Sequence, residues 1–174
     1  MTLPVIFGLA GPELTPDEQA FFRDVNPAGY ILFGRNIETP AQLRALTDAL
    51  RALRGDDQLP ILIDQEGGRV ARLGVPHWQD WPAAAVLARG ATLSAEVAES
   101  QAAERVRLNY EALGLELAAM GVTVTCAPVL DVPQADAHDI IGDRAFGETP
   151  EQVATLGRAC PVSYTHLTLP TSSQ

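Results

Sequence analysis

Ile61-Leu62-Ile63-Asp64-Gln65-Glu66-Gly67-Gly68-Arg69-Val70-Ala71-Arg72-Leu73 begins with three apolar residues and turns polar at a single step. A short unbroken apolar run suits a strand covered on both faces, as strands of parallel sheets are. The polar residues then fall where such a strand ends. Residues 5–9 and 30–33 repeat the apolar pattern, and residues 122–132 form a fourth run that starts by alternating Val122, Val124 and Cys126 with Thr123 and Thr125.

Helical signals lie between these runs. Thr15-Pro16-Asp17-Glu18, Thr39-Pro40-Ala41-Gln42 and Thr149-Pro150-Glu151-Gln152 each place Thr at a helix cap, Pro at the first turn and an acid or amide at the third position. Ser94 with Glu96 marks a further start. Leu43, Leu46, Leu50 and Leu53 follow one helical face up to Gly55, and Val106, Tyr110, Leu113, Leu117 and Met120 follow another up to Gly121. Strand and helix therefore alternate four times, which predicts an α/β fold with parallel strands and helical crossovers. Two architectures fit: an open doubly wound sheet of strand order 2-1-3-4, or four units of a (β/α)8 barrel, whose usual length is about 250 residues. In the second case strands one and four would be open edges.

Composition narrows the function. The chain has 174 residues, 47% hydrophobic and 20% charged, with 12 Lys and Arg against 22 Asp and Glu. A net charge of −10 speaks against nucleic acid or an anionic membrane as the main partner. Two cysteines, Cys126 and Cys160, suit a reducing compartment better than a disulfide scaffold. With no long apolar run and no cationic leader, a cytoplasmic protein is expected.

Polar residues gather where parallel strands end: Gly34-Arg35-Asn36, then Asp64 and Glu66, then Asp131. Both architectures build their sites there. On a continuing strand Asp64 and Glu66 share a face, and could act as an acid–base pair, as metal ligands or as acceptors for sugar hydroxyls. Arg69 and Arg72 could neutralise them or clamp a ligand, and Gly67-Gly68 permits a sharp turn. A salt-bridge network around a glycine turn would look the same. Asp131 and Arg144 are a second candidate pair, with a buried Asp131 capping its loop as the plainer alternative. The long segment 67–90 carries His77, Trp78 and Trp81. His77, His138 and His166 are isolated. No zinc spacing, dinucleotide or phosphate-binding glycine motif or serine elbow occurs, so no metal or cofactor is expected.

Asp64-Gln65-Glu66-Gly67-Gly68-Arg69-Val70 with Arg72 resembles the signature of family-3 glycoside hydrolases, in particular the bacterial cytoplasmic β-N-acetylhexosaminidases of cell-wall recycling. Residues 29–36, 127–132 and 141–146 resemble that family's second strand, fourth strand and following loop, in family order. The resemblance covers residues 3 to about 160. It implies the N-terminal half of a (β/α)8 barrel, a retaining hydrolysis of terminal β-linked N-acetylglucosamine from muropeptides, and no cofactor. By motif position it implies that Asp64, Arg72 and Arg144 bind the sugar. The family's Lys-His pair, its His acid/base and its Asp nucleophile would all lie beyond residue 160. No catalytic residue is therefore matched, and this chain is expected to be inactive by itself. Residues 161–171 resemble a translated sequencing adapter. The expected division is a partial barrel over 1–160 and a non-native tail over 161–174. The alternative from another class is a self-contained flavodoxin-like module that binds a ligand without catalysis.

Overall fold

A computed structural model describes residues 1–89, 95–134 and 140–165. Its elements are β1 (Leu3–Gly8), α1 (Pro16–Val25), β2 (Pro27–Leu32), α2 (Pro40–Arg54), β3 (Ile61–Ile63), α3 (Ala84–Ala88), α4 (Ala95–Ala119), β4 (Val124–Thr125) and α5 (Pro150–Thr165). Short 3-10 turns occupy Gly34–Asn36 and Gly142–Arg144. The chain divides into two compact units: Met1–Gln65, Arg72–Gln79 and Leu117–Cys126 form one, and Glu66–Ala71, Asp80–Glu116 and Ala127–Gln174 the other.

The first unit holds the whole sheet. Its strands pair in the order β1-β2-β3-β4, every pair parallel. Sequential parallel order is that of successive βα units in a barrel, so the half-barrel expectation holds and the doubly wound, flavodoxin-like order is overturned. Tyr30 and Leu32 of β2 lie in register with Ile61 and Ile63 of β3, and all four are buried. α2 buries Leu43, Leu46 and Leu50, as the period requires.

β1 is the open edge expected of a half-barrel, not a run covered on both faces: Leu3, Val5 and Ile6 are 41%, 39% and 46% exposed, and β1 has a neighbour on one side only. β4 is two residues long instead of spanning 122–132. Its partner β3 ends at Ile63, whose carbonyl accepts from Cys126 N at 2.9 Å. Past that point no ladder partner remains, and Pro128 brings no N–H. Asp131 therefore stands six residues beyond the strand and is exposed.

The three Thr-Pro starts all begin helices. Thr15 and Glu18 form a complete capping box. At the other two the amide reaches one residue further back: Gln42 accepts from Glu38 N at 2.8 Å and Gln152 from Glu148 N at 3.0 Å. Gly55 closes α2 in the left-handed conformation, φ 68°. Ser94 lies outside the described residues.

In the second unit, Val106, Tyr110, Phe146, Val153, Leu156 and Cys160 belong to one buried cluster. The Tyr110 and Phe146 rings meet at 6.1 Å. The segment 67–90, read as a loop, contains α3. α5 continues to Thr165, past Pro161 and into the stretch that lacks a helical period.

Candidate functional site

Asp64 follows Ile63 directly, so it stands at the C-terminal end of β3 in the first unit. Arg72 Nη2 donates to Asp64 Oδ2 at 2.8 Å, with the side chains 28% and 26% exposed respectively. Among the described residues, Asp64 Oδ1 and Arg72 Nε and Nη1 make no hydrogen bond. The pair thus presents an acceptor beside unspent donors, with about a quarter of each side chain open to solvent.

Gln65 holds this geometry in place. It is fully buried. Its Oε1 accepts from Arg72 N at 2.8 Å and Leu73 N at 2.9 Å, and its Nε2 donates to Leu73 O at 2.9 Å. One amide therefore returns the chain after the glycine turn and brings Arg72 back to Asp64. Sequence reasoning passed Gln65 over. No local signal marked it, since β3 has already ended at Ile63 and the partners of Gln65 lie across the glycine turn.

The next residue belongs to the second unit and has different partners. Arg144 donates to Glu66 through Nε (2.7 Å to Oε2) and Nη2 (2.8 Å to Oε1), a two-pronged fork. The Glu66 side chain is 9% exposed and that of Arg144 23%. Arg69 donates to Asp143 Oδ1 at 2.9 Å and, through Nη2, to the carbonyls of Ile140 and Ile141 at 2.7 and 3.1 Å. Gly67 and Gly68 have φ 93° and 57°. A side chain on Gly67 would run into the Pro82 carbonyl, and Gly68 N donates to Trp81 O at 2.8 Å. Trp81 Nε1 in turn donates to Glu116 Oε2 at 2.7 Å.

These contacts correct several expectations. The strand stops at Ile63, so Asp64 and Glu66 are not held on one strand face, and both Glu66 oxygens are engaged. An acid–base pair made of these two carboxylates has no support in this geometry. Arg69, expected beside Asp64, binds Asp143 and its loop. Arg144, considered as a partner for Asp131, forks onto Glu66, and Asp131 is exposed rather than buried. Arg35 and Asn36 tie the first strand's exit down: Arg35 Nε and Asn36 Nδ2 both donate to Leu9 O, at 2.7 and 3.2 Å. His77 is exposed beside Trp78. His138 and His166 lie outside the described residues. Among the described residues no group of three or more His, Cys, Asp or Glu could hold a metal ion.

Known proteins of one family resemble this chain in sequence and fold. The family described as glycosyl hydrolase family 3 N terminal domain matches residues 8–162. A beta-hexosaminidase of Alkalilimnicola ehrlichii is 40% identical over 158 residues, covering 89% of this chain and 42% of the relative. One from Methylococcus capsulatus is 39% identical over 154 residues, covering 88% and 43%. The chain thus spans less than half the length of these curated relatives. The crystal structure of NagZ from Neisseria gonorrhoeae in complex with N-trifluoroacetyl-D-glucosamine superposes with a TM-score of 0.82 at 32% identity, over 93% of this chain and 47% of that one. A family 3 β-N-acetylglucosaminidase from a Paenibacillus species gives a TM-score of 0.79 at 30% identity, over 92% and 29%. With four sequential parallel strands, and a family match running over most of its length, the chain belongs to glycosyl hydrolase family 3.

Proposed function

We propose that this chain is the sugar-binding N-terminal portion of a retaining β-N-acetylhexosaminidase. Its substrates would be muropeptides carrying terminal β-linked N-acetylglucosamine, released during peptidoglycan recycling in the cytoplasm. Asp64, Arg72 and Arg144 are its substrate-binding residues, within a partial barrel over residues 1–160. The observation that carries this reading is the half-spent Asp64–Arg72 pair at the end of β3. A carboxylate oxygen beside open guanidinium donors can accept from one sugar hydroxyl and donate to a neighbouring oxygen. The beta-hexosaminidase relatives and the glucosamine derivative bound by the Neisseria protein support the same substrate class.

Retaining hydrolysis needs a nucleophile and an acid/base flanking the glycosidic bond. No residue here matches either, so the chain binds the sugar and does not cleave it. The test is a chimera of residues 1–160 followed by the unmatched remainder of the Alkalilimnicola ehrlichii relative. It should turn over a chromogenic β-N-acetylglucosaminide, whereas the 174-residue chain should not exceed buffer. A fluorosugar that traps the nucleophile should label the appended part. Label on Asp64, or turnover by the chain alone, would overturn the reading.

A further inference from the structure

We infer that Glu66 is a positioning residue for Arg144: it holds the guanidinium in one orientation and does not itself meet the sugar. The inference rests on the proposed sugar-binding role of Arg144, which nothing about Glu66 requires.

The argument starts from the backbone. Glu66 N donates to Val70 O at 2.9 Å, which closes the turn through Gly67 and Gly68. Gly68 N is fastened to Trp81 O, and Gly67 sits so close to Pro82 that only glycine fits. The Glu66 main chain is therefore fixed on both sides before its side chain is considered. The carboxylate is almost fully buried and offers both oxygens to the Arg144 fork. A carboxylate that deep, with both oxygens committed to one guanidinium, fixes that guanidinium's plane as well as its distance.

Three residues further on, Arg69 works in the opposite electrical sense. It grips the carbonyls of Ile140 and Ile141 and the carboxylate of Asp143, the turn that carries Arg144. One short segment, Glu66–Ala71, thus holds the Arg144 turn twice, by its backbone and by the head of its functional side chain. A plain structural ion pair would need only one of these. The pair of grips suits a residue whose orientation matters.

The test uses the 15N-labelled 174-residue chain as wild type, Glu66→Gln and Glu66→Asp. The Arg144 Nε–Hε signal is assigned with Arg144→Lys, and N-acetylglucosamine is the titrated probe. In the wild type the Hε proton should exchange slowly. In Glu66→Gln it should exchange at least about tenfold faster, with sugar affinity weakened by about tenfold, the loss expected for a charge-assisted bond. Glu66→Asp should recover part of both, while the amide signals of α5 and the ring signals of Tyr110 and Phe146 stay in place. An unchanged Arg144 signal in Glu66→Gln would overturn the inference. So would loss of the Tyr110 and Phe146 signals in both variants, which would make Glu66 a structural residue only. If the Arg144 signal responds as expected but wild type shows no sugar-dependent shifts, positioning stands and the sugar-binding reading falls.

Discussion

Asp64 has one oxygen on Arg72 and a side chain 26% exposed; Glu66, two residues later, has both oxygens on Arg144 and is 9% exposed. The group is the same and the sequence distance minimal, yet the two carboxylates suit different work. A partly solvated carboxylate with an unspent oxygen loses little when a ligand hydroxyl replaces water. A buried and fully engaged carboxylate can only orient its partner, because breaking the fork strands a charge where water cannot reach it. The lesson concerns pairs of acids in general: accessibility and remaining hydrogen-bond capacity separate binder from support, and residue type does not.

That contrast can be broken by removing each arginine in turn. Arg144→Ala leaves Glu66 buried and unpaired, and should destabilise the chain by about 3 kcal/mol, at the low end for a broken buried pair because Arg144 keeps some solvent. Arg72→Ala leaves Asp64 in contact with water, and should cost less than about 1 kcal/mol. Urea unfolding of both variants checks this, and equal losses would erase the distinction. Asp64 itself sharpens it from the other side. In the chimera, Asp64→Ala should lower kcat/KM by roughly ten- to a hundredfold, corresponding to about 1.5–3 kcal/mol for a charged acceptor, while melting within a few degrees of the parent.

Buried against exposed is also the difference between the two thiols. Cys126 is exposed and Cys160 buried, and burial pushes the Cys160 thiol up to about 12. A thiol reagent at pH 8 should modify one cysteine quickly and the second only on unfolding. Between the ordinary value of 9.0 and about 12, the unfolded chain ionises Cys160 while the folded chain does not. Its contribution to stability is therefore complete below 9 and is lost as pH rises through that window. Cys160→Ala should flatten the alkaline decline seen in urea titrations. The smallest effect is at Glu18. Burial opposes its ionisation, but hydrogen bonds from Ala10 N, Thr15 N and Thr15 Oγ1 outweigh it and hold the carboxyl below its usual range. A depressed carboxyl stabilises above its unfolded value and loses that contribution as pH falls, so Glu18→Gln should slightly reduce the acid sensitivity of α1 by circular dichroism.

Much of the fold was legible locally. Threonine caps, Leu and Val periods and short apolar runs located α1, α2, α4 and α5 and three of the four strands, because each of those signals acts within about one helical turn or one strand. The open edge at β1 follows from the half-barrel reading, but the short β4 was not legible: residues 122–132 look like one strand to any local rule, and only the end of β3 at Ile63 decides where the ladder stops. At the site, the motif placed Asp64 and Arg72 near one another, and the structure joins them at 2.8 Å. Gln65 was missed because its partners, Arg72 and Leu73, lie seven and eight residues away across a glycine turn.

Sequence alone determined that this is an alternating α/β chain, since propensity and capping are properties of residues and their near neighbours, and its family resemblance singled out the residues proposed above to hold a sugar. The sequential strand order followed from the half-barrel resemblance, but tertiary structure alone decided the partners of each charge: Arg72 for Asp64, Arg144 for Glu66, Asp143 for Arg69. The Glu66 and Arg69 pairings span 78 and 74 residues, and no local rule reaches that far. Burial fixes their weight, because the energy of a charge depends on the water left around it, and that is set only when the chain has folded.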